Sequence, residues 1–392
     1  MPRCAASKDA EKAFAPPEPP LLLWTQVAAG PNDNEYTHGM DDSDARLLTR
    51  VQARFPLEPT PFRVLGDELG MPEAQVLART RRLVENGLIR RIGATFHPER
   101  LGYASTLVGM RVPVGPGGPS GAIEAVAAVV GRFVEVTHCY ERDDEWNLWF
   151  TVTAESAERL EAVLDAVRAG APGCRLMSLP ARKRYKLRVE FDLADDETGS
   201  LKDQDGAPGA AMGAPGAKHG PAVLDEADKA LIARLCGDLP LTERPFEALA
   251  GELRTTEHDV LERLRRFERE GVLRRFGAIL RHRRAGVTHN AMVAWAVPEA
   301  QLDAVGAYAA SFDAVSHCYV REAAPGWPYT LYTMIHGTAP SGIEAVIDKI
   351  AERFGLADRR VLTSRREFKK SSVRFFDTNC GQGPDQLQSN TR

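Results

Sequence analysis

Two short blocks carry residue types suited to proton transfer and anion binding, Thr137-His138-Cys139-Tyr140-Glu141-Arg142 and Ser316-His317-Cys318-Tyr319-Val320-Arg321. On an extended strand alternate side chains share a face. Each block therefore groups His, Tyr and Arg on one side and turns Cys139 or Cys318 to the other. An imidazole titrates near neutral pH, and a guanidinium holds carboxylates in a planar fork. The cysteines are expected in the core, not as ligands. A half-exposed polar strand reads the same way, but both copies keep the trio while the residues around it differ.

His336 closes the apolar run Tyr329–Gly337. A lone strand-end histidine is usually a surface or capping residue. Here a hairpin between this strand and the Ser316–Arg321 strand brings His336 toward the face of His317. The loop between them, Glu322–Pro328, carries Trp327, an indole suited to lie against a flat ligand. His282 stands in the basic run 281–284, where solvated side chains are the default. The same ambiguity holds for Lys183, Arg184, Arg365, Arg366, Lys369 and Lys370.

The elements that position these residues are repeated. Arg82–Ala94 (RLVENGLIRRIGA) matches Arg266–Ala278 (RFEREGVLRRFGA). The two HCY blocks match, and Arg182–Lys186 (RKRYK) matches Arg365–Lys369 (RREFK). Three matched blocks in one order mark a tandem duplication with a repeat too long for a solenoid. Two such modules on one chain are expected to pack as an internal pseudo-symmetric dimer, with further homo-oligomerisation left open.

Within the first module three helices are predicted near 44–53, 61–69 and 73–86, with Thr60 capping the second and Pro61 at its first position. A strand follows at 88–96, which makes a winged helix-turn-helix. From Ala104 the period changes to two. Strands at 104–113, 133–141, 146–153 and 182–191, with helices at 120–131 and 155–169, give the ferredoxin-like order βαββαβ. The second module repeats it with strands near 289–297, 312–320, 329–336 and 365–376. The fold class is α+β. The division runs 1–39 (disordered tail, with Met40 a candidate start), 40–100 and 222–284 (winged helices), 101–194 and 285–377 (ligand or catalytic domains), 195–221 (flexible linker) and 378–392 (disordered tail).

Composition limits the partners. The 392 residues carry 50 Lys and Arg against 54 Asp and Glu, a net charge of -4, so no general attraction to nucleic acid or anionic membrane is expected. No apolar run is long enough to span a bilayer, and Pro19–Ala29 lacks the flanks of a signal peptide. Six scattered cysteines with no CxxC pair indicate neither a disulfide framework nor a zinc site, which suits a cytoplasmic protein.

A winged helix joined to a βαββαβ domain resembles the leucine-responsive (Lrp/AsnC) regulators. Within that superfamily RRIGATF, LGYASTL, THCYER and NLWFTV resemble one subunit of siroheme decarboxylase. RRFGAILRHRRAG, VSHCYVR, GWPYTLYTMIHG and RREFKKSSVRFF resemble the other. The resemblance implies a fused enzyme of heme d1 biosynthesis, or of the alternative heme route. Such an enzyme decarboxylates the C12 and C18 acetates of siroheme to 12,18-didecarboxysiroheme. It implies no added cofactor, the iron belonging to the substrate. His317 and His336 are then the catalytic acid and its partner, with Tyr319 orienting one of them. His138, Tyr140, Arg142, Arg321, Trp327, His282, Arg365, Arg366 and Lys369 would bind the polycarboxylate. In the first module Thr153 stands where His336 stands in the second, so the two halves are not chemically equivalent.

Two other readings compete: a DNA-binding regulator and a non-catalytic heme-binding protein. The third helices open with Glu73 and Gln75, and with Glu257, His258 and Asp259. Acidic groups there repel phosphates and disfavour the regulator.

Overall fold

The computed structural model describes residues 40–114, 120–187, 220–280 and 289–377. Each winged helix is built as its sequence pattern requires. Helices α1 (Asp42–Ala53), α2 (Pro61–Leu69) and α3 (Glu73–Glu85) lead into strand β1 (Ile89–Phe96). In the first α/β segment β2 (Ala104–Arg111), α4 (Ser120–Gly131), β3 (Val136–Arg142), β4 (Leu148–Ala154), α5 (Ala157–Gly170) and β5 (Arg175–Leu187) follow. The second module repeats this with α6 (Glu226–Leu235), α7 (Pro245–Leu253), α8 (Glu257–Arg269) and β6 (Leu273–Leu280). Its α/β segment comprises β7 (His289–Trp295), α9 (Leu302–Ser311), β8 (Val315–Arg321), β9 (Leu331–Gly337), α10 (Pro340–Phe354) and β10 (Arg359–Lys370).

Helices α1 and α6 open with capping boxes, Asp41 with Asp44 and Asp225 with Asp228. Asp44 and Asp228 are fully buried and are neutralised by Arg79 with Arg82 and by Arg263 with Arg266. Thr60 makes no side-chain cap bond. Pro61, preset for the first turn and lacking an N–H to satisfy, starts α2 without it.

The two modules are interlocked. Strands β1 and β6 pair antiparallel, with Gly93 opposite Gly277, and one apolar core runs through both winged helices. The α/β segments close an eight-stranded barrel in the order β10-β3-β4-β2-β5-β8-β9-β7. Strand β5 pairs with β2 as far as Pro180 and then with β8 of the other module from Ala181 to Leu187. Strand β10 does the same, leaving β7 after Thr363 to pair with β3. The expected internal pseudo-dimer is therefore joined by exchanged strands. Both begin earlier than the pattern suggested, at Arg175 and Arg359 instead of 182 and 365.

Each sheet packs its outer face on its own helices, with Cys139 and Cys318 fully buried there. Burial pushes both thiols up to about 12, so they stay neutral. The inner faces meet in a third cluster that mixes modules, including Trp149, Leu179, Met292, Trp327, Tyr332 and Leu362. The last residues of the expected linker lie against the first winged helix, where Arg100 donates to the Gly220 carbonyl. The remainder of that segment and both tails fall outside the described residues. Among the described residues, no helix is long and apolar enough to cross a membrane.

Candidate active site

Alternation on β3 and β8 turns the two trios inward, as expected. His138 stacks on Tyr140 at 6.3 Å between ring centroids, and His317 on Tyr319 at 6.2 Å. Arg142 and Arg321 follow, their guanidiniums 5.5 Å and 5.1 Å from those tyrosine rings. Both are anchored on the far module. Arg142 donates to the Leu362 carbonyl at 2.8 Å, and Arg321 to the Leu179 carbonyl at 2.8 Å. Burial lowers the Arg142 guanidinium to about 10 and depresses Arg321 as well. Cations withdrawn from water in this way, Arg142 buried and Arg321 half-buried, favour an anionic ligand.

The β8–β9 hairpin brings His336 to His317 through a serine. Ser316 Oγ lies 2.8 Å from His336 Nε2 and 2.7 Å from His317 Nδ1. A bulge between Val315 and His317 sets Ser316 and His317 together opposite Met334. In the first module Thr137 Oγ1 bonds His138 Nδ1 at 2.9 Å, while Thr153 bonds Ser105 at 3.1 Å. The aligned positions thus hold one imidazole in the first copy and two in the second. Burial, then the nearby charges of Lys370 and Arg142, lower His336 to about 4. His138 also falls to about 4 through burial, Lys370 and Arg90. His336 therefore senses a guanidinium of the first module while bonding to the second.

Several of the expected ligand residues have protein partners instead. Trp327 is 2% exposed, packed on Trp146, Trp149 and Tyr329, and its indole N–H donates to Tyr332 Oη at 2.6 Å. It is packed within the inner cluster of the barrel. Arg366 points to the helix side, where Glu141 and Glu124 hold it. Lys369 donates to the carbonyls of Gly131 and Phe133 beyond the end of α4. Arg365 pairs with Asp143 at 2.6 Å. These three reinforce the strand exchange, as Lys183 with Asp303 and Lys186 with the Phe312 carbonyl do in the other copy. His282 lies outside the described residues.

Four other cations stand nearer the trios. Lys370 pairs in register with His138, and Arg90 donates to the Lys370 carbonyl. Arg184 lies 5.6 Å from the Tyr319 ring and bonds His97 and Glu99. Burial opposes ionisation of Glu99, yet His97 and Arg184 hold its carboxyl at about 2. Arg274, lowered to about 10 by burial, interacts electrostatically with Tyr319. The signal for Arg90 and Arg274 was the doubled arginine in RRIGA and RRFGA. Its second member bonds the opposite module, Arg91 to the Gly237 carbonyl and Arg275 to the Gln52 carbonyl. Strand alternation sends the first member toward the trio.

Comparison with known proteins settles the family. Residues 44–90 and 228–274 match the siroheme decarboxylase NirDL-like HTH domain, and 100–186 and 284–369 the AsnC-like ligand binding domain. The siroheme decarboxylase NirDL subunit of Paracoccus denitrificans is 38% identical over 340 residues, covering 84% of this chain and 96% of that protein. The chain belongs to the siroheme decarboxylase family. A crystal structure of the siroheme decarboxylase NirDL with an iron-uroporphyrin III analogue superposes with a TM-score of 0.62 at 29% identity. It covers 86% of this chain and 95% of the other. The siroheme decarboxylase beta subunit of Methanosarcina barkeri is 41% identical over 152 residues, 39% of this chain and all of that protein. Members of the family thus carry the two-module plan as one chain, as here, or have a subunit about the size of one module.

Proposed function

We infer that this chain removes CO2 from the C12 and C18 acetate arms of siroheme, giving 12,18-didecarboxysiroheme. The observation that carries the reading is the His336–Ser316–His317 chain beside the buried Arg142 and the half-buried Arg321, in a member of this family. Loss of CO2 leaves an electron pair on the methylene carbon. The conjugated macrocycle delocalises that pair until the carbon is protonated, so no added cofactor is required and the iron is the substrate's own. His317 and His336 supply the proton, and Tyr319, stacked on His317, fixes its ring. Arg142 and Arg321 hold propionates, while the reacting acetate sits unpaired in less polar surroundings that favour loss of its charge.

Anaerobic incubation with siroheme, followed by mass spectrometry of the extracted ring, tests this directly. The expected product is lighter by two CO2. The double variant H317A/H336A should lose about 10²–10⁴-fold in turnover, the range for a positioned acid. Wild-type-like turnover in that variant overturns the assigned roles. A bound ring of unchanged mass would mark a carrier instead. At α8 the expected repulsion of phosphates is reduced, since Arg244 and Arg263 pair with Glu257 and Asp259, but the same pairs occupy these arginines within the domain.

A further inference from the structure

Ser316 touches both imidazoles of the second module, and its chemistry limits how they can be arranged. Its side chain is 5% exposed and stands 2.7 Å from His317 Nδ1 and 2.8 Å from His336 Nε2. A hydroxyl has one proton, so it cannot donate to both rings. Its other acceptor, the Met334 carbonyl, lies farther off at 3.4 Å. The two short contacts have the hydroxyl donate to one ring nitrogen and accept an N–H from the other, which sets the two tautomers as a pair. We propose that Ser316 is a positioning residue that passes a proton from His336 to His317 as the substrate carbon is protonated. This rests on the siroheme decarboxylase reading above.

The step balances. When the C–C bond to the carboxylate breaks, its electron pair stays with the methylene carbon and ring, and CO2 leaves. His317 Nε2 gives its proton to that carbon. The Ser316 hydroxyl proton moves to His317 Nδ1, and the His336 Nε2 proton moves to Ser316 Oγ. His336 begins as the imidazolium, so both rings end neutral. One solvent proton per CO2 then enters at His317 Nε2 and the chain runs back through Ser316 to His336, which restores both starting tautomers.

The first module supplies the contrast. Thr137 occupies the matching place after Val136, carries a hydroxyl and bonds His138 Nδ1. Among the described residues no second imidazole meets it, because Thr153 replaces the histidine. There the hydroxyl orients one ring, whereas in the second copy it joins two. Thr137 also shows that this bulge accepts the extra methyl of threonine, which makes S316T the informative conservative variant.

The experiment measures siroheme turnover for wild type, S316A and S316T, with circular dichroism to confirm folding. S316A should lower kcat on the order of ten- to a hundred-fold, with KM changed less than about twofold, and S316T should recover most of the loss. A purely packing role predicts a different result, with KM or folding disturbed and threonine no better than alanine. That pattern, or an S316A enzyme as fast as wild type, overturns the relay and leaves the decarboxylase reading standing. A wild-type enzyme that releases no CO2 from siroheme removes both.

Discussion

His336 is neutral at pH 7 in the empty protein, because burial and the charges of Lys370 and Arg142 hold it at about 4. His138 is held at about 4 by burial, Lys370 and Arg90. An octacarboxylate reverses the balance of charge around both rings and draws protons onto them. Binding of siroheme should therefore take up protons at pH 7 and weaken as pH rises from 6 to 8. Calorimetry in two buffers of different ionisation enthalpy reads the uptake, and a proton count of zero contradicts the assignment. Stability follows the opposite sense in the absence of ligand. Between pH 4 and 6.5 the unfolded chain binds more protons than the folded one at these histidines. Their contribution is complete above about 6.5 and is lost as pH falls toward 4. H336N, which cannot take a proton, should flatten the slope of melting temperature against pH relative to wild type. Period-two alternation made the inward trios legible from sequence alone. It left the protein partners of Trp327, Arg366 and Lys369 unseen, because a partner from a distant element leaves no local mark.

At the scale of elements, the strand exchange explains both the duplication marks and the errors of extent. The stretch Arg175–Ala181 contains Pro180, and proline within an apolar run argues against a central strand. Pro180 instead sits where β5 leaves β2 for β8, a place where its missing N–H is tolerated. The helices were readable to within a few residues because their caps and apolar faces are local. The partner of β5 was not, since it lies in the other module. The repeated glycine of RRIGA and RRFGA has a comparable origin. At Gly277 a Cβ would stand 2.7 Å from the Val51 carbonyl oxygen and 2.9 Å from that of Gln52, backbone atoms that cannot swing aside. At Gly93 the closest atom is the mobile Arg91 guanidinium, and the nearest backbone oxygen is 3.1 Å away. G277A should cost about 1–3 kcal/mol in urea unfolding, the usual penalty of overpacking, and more than G93A. Equal stability of G277A and wild type would show that β6 does not press on α1 in solution.

For the whole molecule, the covalent connection between modules contributes less than the surfaces they share. Three antiparallel pairings cross the boundary, β1 with β6, β5 with β8 and β10 with β3, and the winged-helix core is common to both halves. Neither half closes a barrel alone. The first would expose the β5 edge and the second the β10 edge, each a template for association. His336 and Arg142, electrostatic neighbours in the intact chain, would be separated. Cutting the chain within 195–219 should therefore preserve the enzyme, provided both pieces are made together. Co-expressed halves should copurify one-to-one on a tag carried by either, and they should decarboxylate siroheme at a rate within a few-fold of the intact chain. The first half expressed alone should aggregate or pair with itself, and it should be inactive because it lacks His317 and His336. Size-exclusion chromatography with light scattering distinguishes these states. Two stable, monomeric halves that ignore one another would show that the exchanged strands do not hold the molecule together. The separate beta subunit in Methanosarcina barkeri, matching 39% of this chain, has the dimensions such a half requires.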